Sequence, residues 1–263
     1  MKYIYQILLI CIVTFFTACS SKQELNLNEI NEYVETHISH FHNKRLEYVR
    51  NKIDLTKILK QKNPYLFKAK NIIDAHDLIK GFLDAFLQSQ EETIFGNFIE
   101  ELAIFVCDKV YDGKKSELTG LDLEFEKDNI IYIVEIKAGW NWGNSSQIKQ
   151  LKLNFNNAKK ILKKQTDKKI IAVNGCCFGK DNKPQKEGYL KLCGQRFWEL
   201  ISGNERLYID IIEPIGHNAK QKNEEFYNAY IQVINNLTLE FSKDFCNNGV
   251  IDWEKLIKFN SAK

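Results

Sequence analysis

Two hydrophobic periods alternate along this chain. Between residues 28 and 52, Ile30, Tyr33, Val34, His37, Ile38 and Phe41 recur at helical spacing and predict an amphipathic helix. A second, short helix is expected over 54–61, and Asn63-Pro64 breaks the chain after it. Helices are expected next over 77–87 and 91–110, and Gly113 and Gly120 then bracket a polar loop. There the period drops to two. Leu121, Leu123 and Phe125 alternate with Asp122, Glu124 and Glu126, the pattern of a half-buried strand. Lys127-Asp128-Asn129 supplies a turn, and 130–136 returns as a second strand rich in β-branched residues. Residues 147–164 revert to helix, with Ile148, Leu151, Phe155, Ala158, Ile161 and Leu162 on one side. A third strand is expected over 169–173, bounded by Asn174-Gly175. The remainder predicts helices over 194–202, 206–220 across Pro214, and 222–245, with a short tail around Trp253, Leu256 and Ile257. Strand, strand, helix, strand between helical stretches predicts an α/β core, a mixed sheet flanked by helices, with large N- and C-terminal helical additions. The expected division is a helical region over 23–90, a core over 91–205 and a C-terminal helical region over 206–263.

Composition narrows the class. Of 263 residues 44% are apolar, enough for a sizeable core, and only 13 Gly and 3 Pro exclude collagen-like or low-complexity chains. With 37 basic and 34 acidic side chains the net charge is +3, which excludes a histone-like protein basic all over. Residues 1–22 stand apart. Lys2 precedes 19 uncharged residues from Tyr3 to Ser21, a signal-like pattern that resembles a bacterial lipoprotein signal with Cys19 as the lipidated residue. Phe16 stands where that motif usually has Leu. Beyond it no stretch reaches the roughly 20 apolar residues that span a bilayer. The remaining cysteines, Cys107, Cys176, Cys177, Cys193 and Cys246, are odd in number and include no C-x-x-C pair. They read as reduced, buried thiols rather than disulfides or a metal site. His37, His40 and His42 lack acids on the same helix face and do not read as metal ligands.

The candidate chemistry lies in the hairpin. Glu135 and Lys137 are two apart on a strand and therefore share a face. Asp122 lies across the hairpin and joins them if the register allows. Two carboxylates can hold Mg²⁺, a hard cation that prefers oxygen, and an adjacent ammonium can orient or activate water. That combination suits phosphodiester hydrolysis. Ile133, Val134 and Ile136 make the strand apolar, so charges embedded there need a partner or a function. Glu100, on the preceding helix, is a candidate further carboxylate.

Asp122 followed by Glu135-Ile136-Lys137 resembles the PD-(D/E)xK nuclease superfamily, with Leu121 in place of the proline of that motif. More narrowly, the chain is similar to the PmeII-type restriction endonucleases. The stretches that carry this are Lys62 to Asn71 (KNPYLFKAKN), Glu91 to Gly96 (EETIFG), Trp142 to Gln147 (WGNSSQ), Asn174 to Cys177 (NGCC) and Gly194 to Trp198 (GQRFW). The resemblance runs from about residue 28 to the C-terminus. It implies a Mg²⁺-dependent type II restriction enzyme that cuts double-stranded DNA as a homodimer, beside a DNA methyltransferase protecting the same site. It also implies that Asp122, Glu135 and Lys137 take the catalytic roles, with Asp122 and Glu135 as metal ligands.

Charge is concentrated next to that hairpin. Residues 149–169 hold eight Lys and one acid, Asp167, a segment charge of +7 that leaves −4 for the rest of a chain totalling +3. A basic stripe here would neutralise phosphates. Between the strand and this helix, Asn144, Ser145, Ser146 and Gln147 are candidate DNA contacts, with Lys149 and Lys152 following. Ser146 is also a candidate helix cap. Trp198 and Trp253 read as core or interface anchors. Two alternatives stay open at this point: a membrane-anchored lipoprotein that binds without catalysis, and a repair or mobile-element nuclease. A nuclease whose DNA is cytoplasmic gains nothing from export, so residues 1–22 conflict with the rest. A start assigned too early, with initiation at a UUG codon for Leu25 or Leu27, reconciles the two.

Overall fold

The computed structural model of the chain describes residues 24–263; the signal-like segment and Cys19 lie outside the described residues. Asn26, Asp54, Asn63 and Asp74 each accept a backbone N–H two or three residues on, and each starts a helix. These helices are α1 (Leu27–Asn51), α2 (Leu55–Gln61), α3 (Pro64–Ala69) and α4 (Ala75–Tyr111). Pro64 thus opens a short helix at its first position, where the missing N–H is harmless, rather than only breaking the chain.

The two helices expected over 77–87 and 91–110 are one helix of 37 residues. The polar run Gln88-Ser89-Gln90-Glu91-Glu92-Thr93 interrupts the apolar pattern without interrupting the backbone. On either side of that run α4 packs into a different cluster. Leu78, Phe82, Leu83 and Phe86 join α2, α3 and the C-terminal helices, whereas Phe98, Leu102, Ala103 and Val106 join the sheet.

After α4 come β1 (Lys114–Lys115), β2 (Leu123–Lys127), β3 (Ile130–Gly139), α5 (Ser145–Leu162), β4 (Lys169–Phe178), β5 (Gln185–Lys186) and β6 (Tyr189–Cys193). The sheet is mixed, in the order β1-β2-β3-β4-β6-β5, with β3–β4 and β4–β6 parallel and the other pairs antiparallel. The expected α/β core of a flanked mixed sheet is therefore present. One face packs against α1, α4 and the following helix α6 (Gln195–Ser202) through Leu123, Val134, Ile136 and Val173. The other packs against α5, where Ile133 and Ala172 meet Leu151, Phe155 and Ala158.

The third strand does not end at Asn174-Gly175. Both residues continue β4, because a Cβ at Gly175 would lie 2.3 Å from the Phe197 ring, so only glycine lets α6 close on the sheet here. The helix expected over 206–220 is instead two single turns, α7 (Leu207–Asp210) and α8 (Ile212–Ile215). Pro214 has no N–H to donate back along a longer helix. Then follow α9 (Ala219–Phe245), the two-residue strands β7 (Cys246–Asn247) and β8 (Val250–Ile251), and α10 (Trp253–Ser261). Trp198 is 2% exposed, with its indole N–H donated to the Cys177 carbonyl, a core anchor as expected. Among the described residues no helix is long and apolar enough to cross a membrane.

Gly175→Ala would overpack the contact with Phe197, at a cost of about 2 kcal/mol. The expected result in a thermal melt is a midpoint lower by roughly 4–8 °C, while Gly96, where an added Cβ meets nothing within 4 Å and φ is not positive, provides the control.

Candidate active site

The β2–β3 hairpin fixes the site. Its two turn residues, Asp128 and Asn129, both have positive φ (53° and 59°), the conformation a two-residue turn needs to match the strands' twist. The turn sets the register at Leu123↔Val134, which brings the preceding Asp122 level with Glu135. The Asp122 N–H donates to the Val134 carbonyl at 2.9 Å, and its Oδ2 accepts the Ile136 N–H at 2.6 Å. The register that the sequence left open therefore places all three charged groups together.

On β3, Ile131, Ile133, Glu135 and Lys137 face α5, and Val134 and Ile136 face α4. Glu135 and Lys137 form an ion pair, with Lys137 Nζ 2.7 Å from Glu135 Oε1. The other oxygen, Glu135 Oε2, is buried and has no hydrogen-bond partner. Burial pushes the Glu135 carboxyl above the ordinary range; Lys137 pulls it back and Asp122 pushes it further up. Glu100 on α4 is raised too, first by burial and then by the charge of Asp122, against the pull of Lys115 and Lys137. Its Oε1 is 3.9 Å from Lys115 Nζ.

These carboxylates suit a hard cation. The donors are all oxygens, and Glu135 Oε2 is a buried acceptor that a cation would satisfy. They are not drawn tightly together. The group of His, Cys, Asp and Glu whose ligand atoms lie within 4.8 Å among the described residues is Asp74, His76 and Asp77, exposed at the start of α4. That group is about 35–39 Å from Glu100 along the helix, at roughly 1.5 Å per residue. Asp74 already caps α4. Among the described residues the cysteines are free; Cys107, Cys176, Cys177 and Cys193 are buried, as expected.

The loop and helix beyond β3 complete the site. Asn144, not Ser146, is the N-cap of α5. Asn144 Oδ1 accepts the Gln147 N–H at 3.0 Å and Gln147 Oε1 accepts the Asn144 N–H at 2.9 Å, a reciprocal capping box. Ser145 and Ser146 are exposed in the first turn of α5. A cleft of about 430 Å³ lies between this helix and β3, lined among others by Glu135, Lys137, Trp142, Gln147 and Gln150. The basic segment divides. Lys152 pairs with Glu187 at 2.8 Å, Lys159 donates to the Gly188 carbonyl and Lys168 pairs with Glu126. Lys149, Lys160, Lys163, Lys164 and Lys169 are exposed.

Two residues join the site that sequence reasoning did not assign to it. Asn174 is 1% exposed and level with Glu135 on the neighbouring strand. Trp142 donates its indole N–H to Asn174 Oδ1 at 3.1 Å. The available signal was an amide at the end of the apolar run Ile170-Ile171-Ala172-Val173, the place where a buried polar group demands a partner.

A mixed sheet with two acids and a lysine on one face of its central hairpin defines a restriction-endonuclease-like α/β protein. Residues 28–223 match the family model of type II restriction endonuclease EcoO109I. The chain belongs to that family of DNA-hydrolysing enzymes. The match is to this family rather than to the PmeII type that the sequence motifs resemble. No curated protein matches the chain.

The raised carboxyl of Glu135 has a thermodynamic consequence. Its folded-state pKa lies above the unfolded one, so the folded chain holds the extra proton and stability falls as pH rises through that window. Glu135→Gln removes the cost of the ionised form. Without divalent ions, the variant should melt above the wild type at pH 8. That gap should close as the pH falls below the ordinary glutamate range. A wild type that melts higher at pH 8 contradicts this balance.

Proposed function

We propose that the chain is a type II site-specific deoxyribonuclease that hydrolyses double-stranded DNA with Mg²⁺ as part of a restriction-modification system. The observation that carries this reading is the Asp122–Glu135–Lys137 face on the central hairpin of a chain in this family. Asp122 and Glu135 are the metal ligands, with Glu100 as a further carboxylate on the α4 side. When bound, Mg²⁺ supplies positive charge for the phosphate and acidifies water at the site.

The chain's own groups do the rest. Backbone donation from Ile136 holds the Asp122 carboxylate in place. Lys137 Nζ, set by Glu135, presents its remaining protons toward the cleft, where it orients the attacking water and offsets charge growing on the phosphate oxygens. Five exposed lysines, with Lys149 the first in sequence after the catalytic strand, supply phosphate contacts. Asn144 and Gln147 spend their carbonyl oxygens on the capping box, which leaves their amide N–H groups for bases or phosphates; Ser145 and Ser146 present hydroxyls beside them. Lys152 reaches DNA by exchanging its Glu187 partner for a phosphate.

The finer placement with PmeII-type enzymes rests on the motif stretches from Lys62 to Trp198. We assign the nuclease core to 91–205 and the additions to 23–90 and 206–263. The enzyme acts in the cytoplasm as a homodimer on a near-palindromic site, with a methyltransferase protecting the same sequence. Residues 22–263, given Mg²⁺ and unmethylated duplex DNA, should give fragments whose sequenced ends share one site. Random ends, or intact DNA from every unmethylated source, would sink the proposal. Lys137→Ala should lower the cleavage rate by a factor on the order of 10³ and leave DNA binding intact. Lys149→Ala and Lys160→Ala should each weaken binding uniformly across sequences and reduce the salt slope by about 1.

A further inference from the structure

Asn174 and Ser202 are the buried polar side chains among the described residues, and Asn174 lies beside the charged face. An apolar residue would be cheaper in a strand covered on both sides, so the amide needs an account. Its bonds are specific. Oδ1 accepts the Trp142 indole N–H at 3.1 Å and Nδ2 donates to the backbone carbonyl of Glu135 at 3.3 Å. The Cys176 thiol, opposite Lys137 in the register, also points a weak donor at Oδ1, at 3.8 Å.

Trp142 follows β3 in the short loop before α5. Gly143 after it has φ of +84°, and a Cβ there would lie 3.0 Å from Ile148. The ring lies beneath the catalytic-strand lysine, with Lys137 Nζ 5.0 Å from its centroid. The ammonium therefore has two attachments, the Glu135 carboxylate at 2.7 Å and the ring face. A four-carbon stem with many rotamers is thereby confined to one direction, and the Asn174 hydrogen bond holds the ring that confines it.

We propose that Asn174 and Trp142 form a positioning relay for Lys137, in which the amide holds the indole and the indole face holds the ammonium in the cleft. The proposal rests on the reading of Lys137 as catalytic. Neither residue touches the reacting phosphate; both act through Lys137. Displacing a reacting group by about 1 Å costs on the order of 10²-fold in rate, so the relay acts on kcat and leaves the KM for DNA alone.

The test uses the Mg²⁺-loaded enzyme on the duplex that it cuts. Asn174→Ala and Trp142→Phe should each lower kcat by roughly 10- to 30-fold, with KM changed less than about twofold. Trp142→Leu, which loses the ring face as well, should lose roughly 100-fold. The double variant Asn174→Ala/Trp142→Phe should be no worse than the poorer single variant, because the amide acts through an indole N–H that phenylalanine lacks. In the ¹H–¹⁵N spectrum, the indole resonance missing from Trp142→Phe should move in Asn174→Ala.

Multiplying losses in the double variant, a change in KM alone, or an unmoved indole resonance would each overturn the relay. Should Asn174→Ala fail to fold, the split between kcat and KM in the two Trp142 variants still decides, since that residue lies in a partly exposed loop. Full cleavage by Lys137→Ala would instead overturn the catalytic reading, and the relay's role with it. Full kcat in Asn174→Ala beside a dead Lys137→Ala would overturn the relay alone.

Discussion

The parallel pairing of β3 with β4 is the constraint on which the rest of the molecule depends. It runs in register from Ile130↔Lys169 to Gly139↔Phe178, and a parallel pair is stable only with both faces covered. On one face α4 and α6 pack over Val134, Ile136, Val173 and Cys177. On the other, α5 begins at Ser145 and its first buried residue is Leu151. The strands' C-terminal ends therefore emerge from under α5 before they end. Glu135 and Lys137 stand in that stretch, where the sheet is rigid and water can reach one side, and Asn174 beside them is covered by Trp142.

This position explains why the site is costly and why the fold supports it. Two carboxyl groups, Glu100 and Glu135, are held with raised proton affinity by burial and by the charge of Asp122. One oxygen of Glu135 has no partner at all. A protein selected for stability alone would fill that stretch with apolar side chains. The adjacent apolar rows, Ile133 with Ala172 and Val134 with Val173, hold the strands so firmly that the charged row cannot relax away.

Much of this was legible in the sequence. The change of period at Leu121 located the hairpin, and the two-residue spacing of Glu135 and Lys137 placed them on one face. What the pattern could not carry was anything decided between elements. Asn174-Gly175 has the composition of a turn, yet Phe197, twenty-two residues later, is what requires the glycine within the strand. Ser146 looked like a cap, but Asn144 and Gln147 satisfy each other and leave no role for it. The strand Tyr189–Cys193 is five residues long, with Lys191 at its centre, too short and mixed to show a period. Pro214 lies inside the helix expected over 206–220, and the structure has the single turns α7 and α8 there instead.

The single helix α4 has a consequence for what changes the chain can accept over evolutionary time. Its two ends belong to two apolar clusters, and Gln88 to Thr93 connects them, with Glu91 also paired to Arg45 of α1. The other five side chains are replaceable as long as the helix continues. Their number is not. One residue inserted or deleted there would turn one end about 100° relative to the other, since a turn takes about 3.6 residues. Either Phe82 and Phe86 would leave their cluster, or Glu100 would swing away from the hairpin. Relatives of this protein should therefore hold the length of that stretch constant.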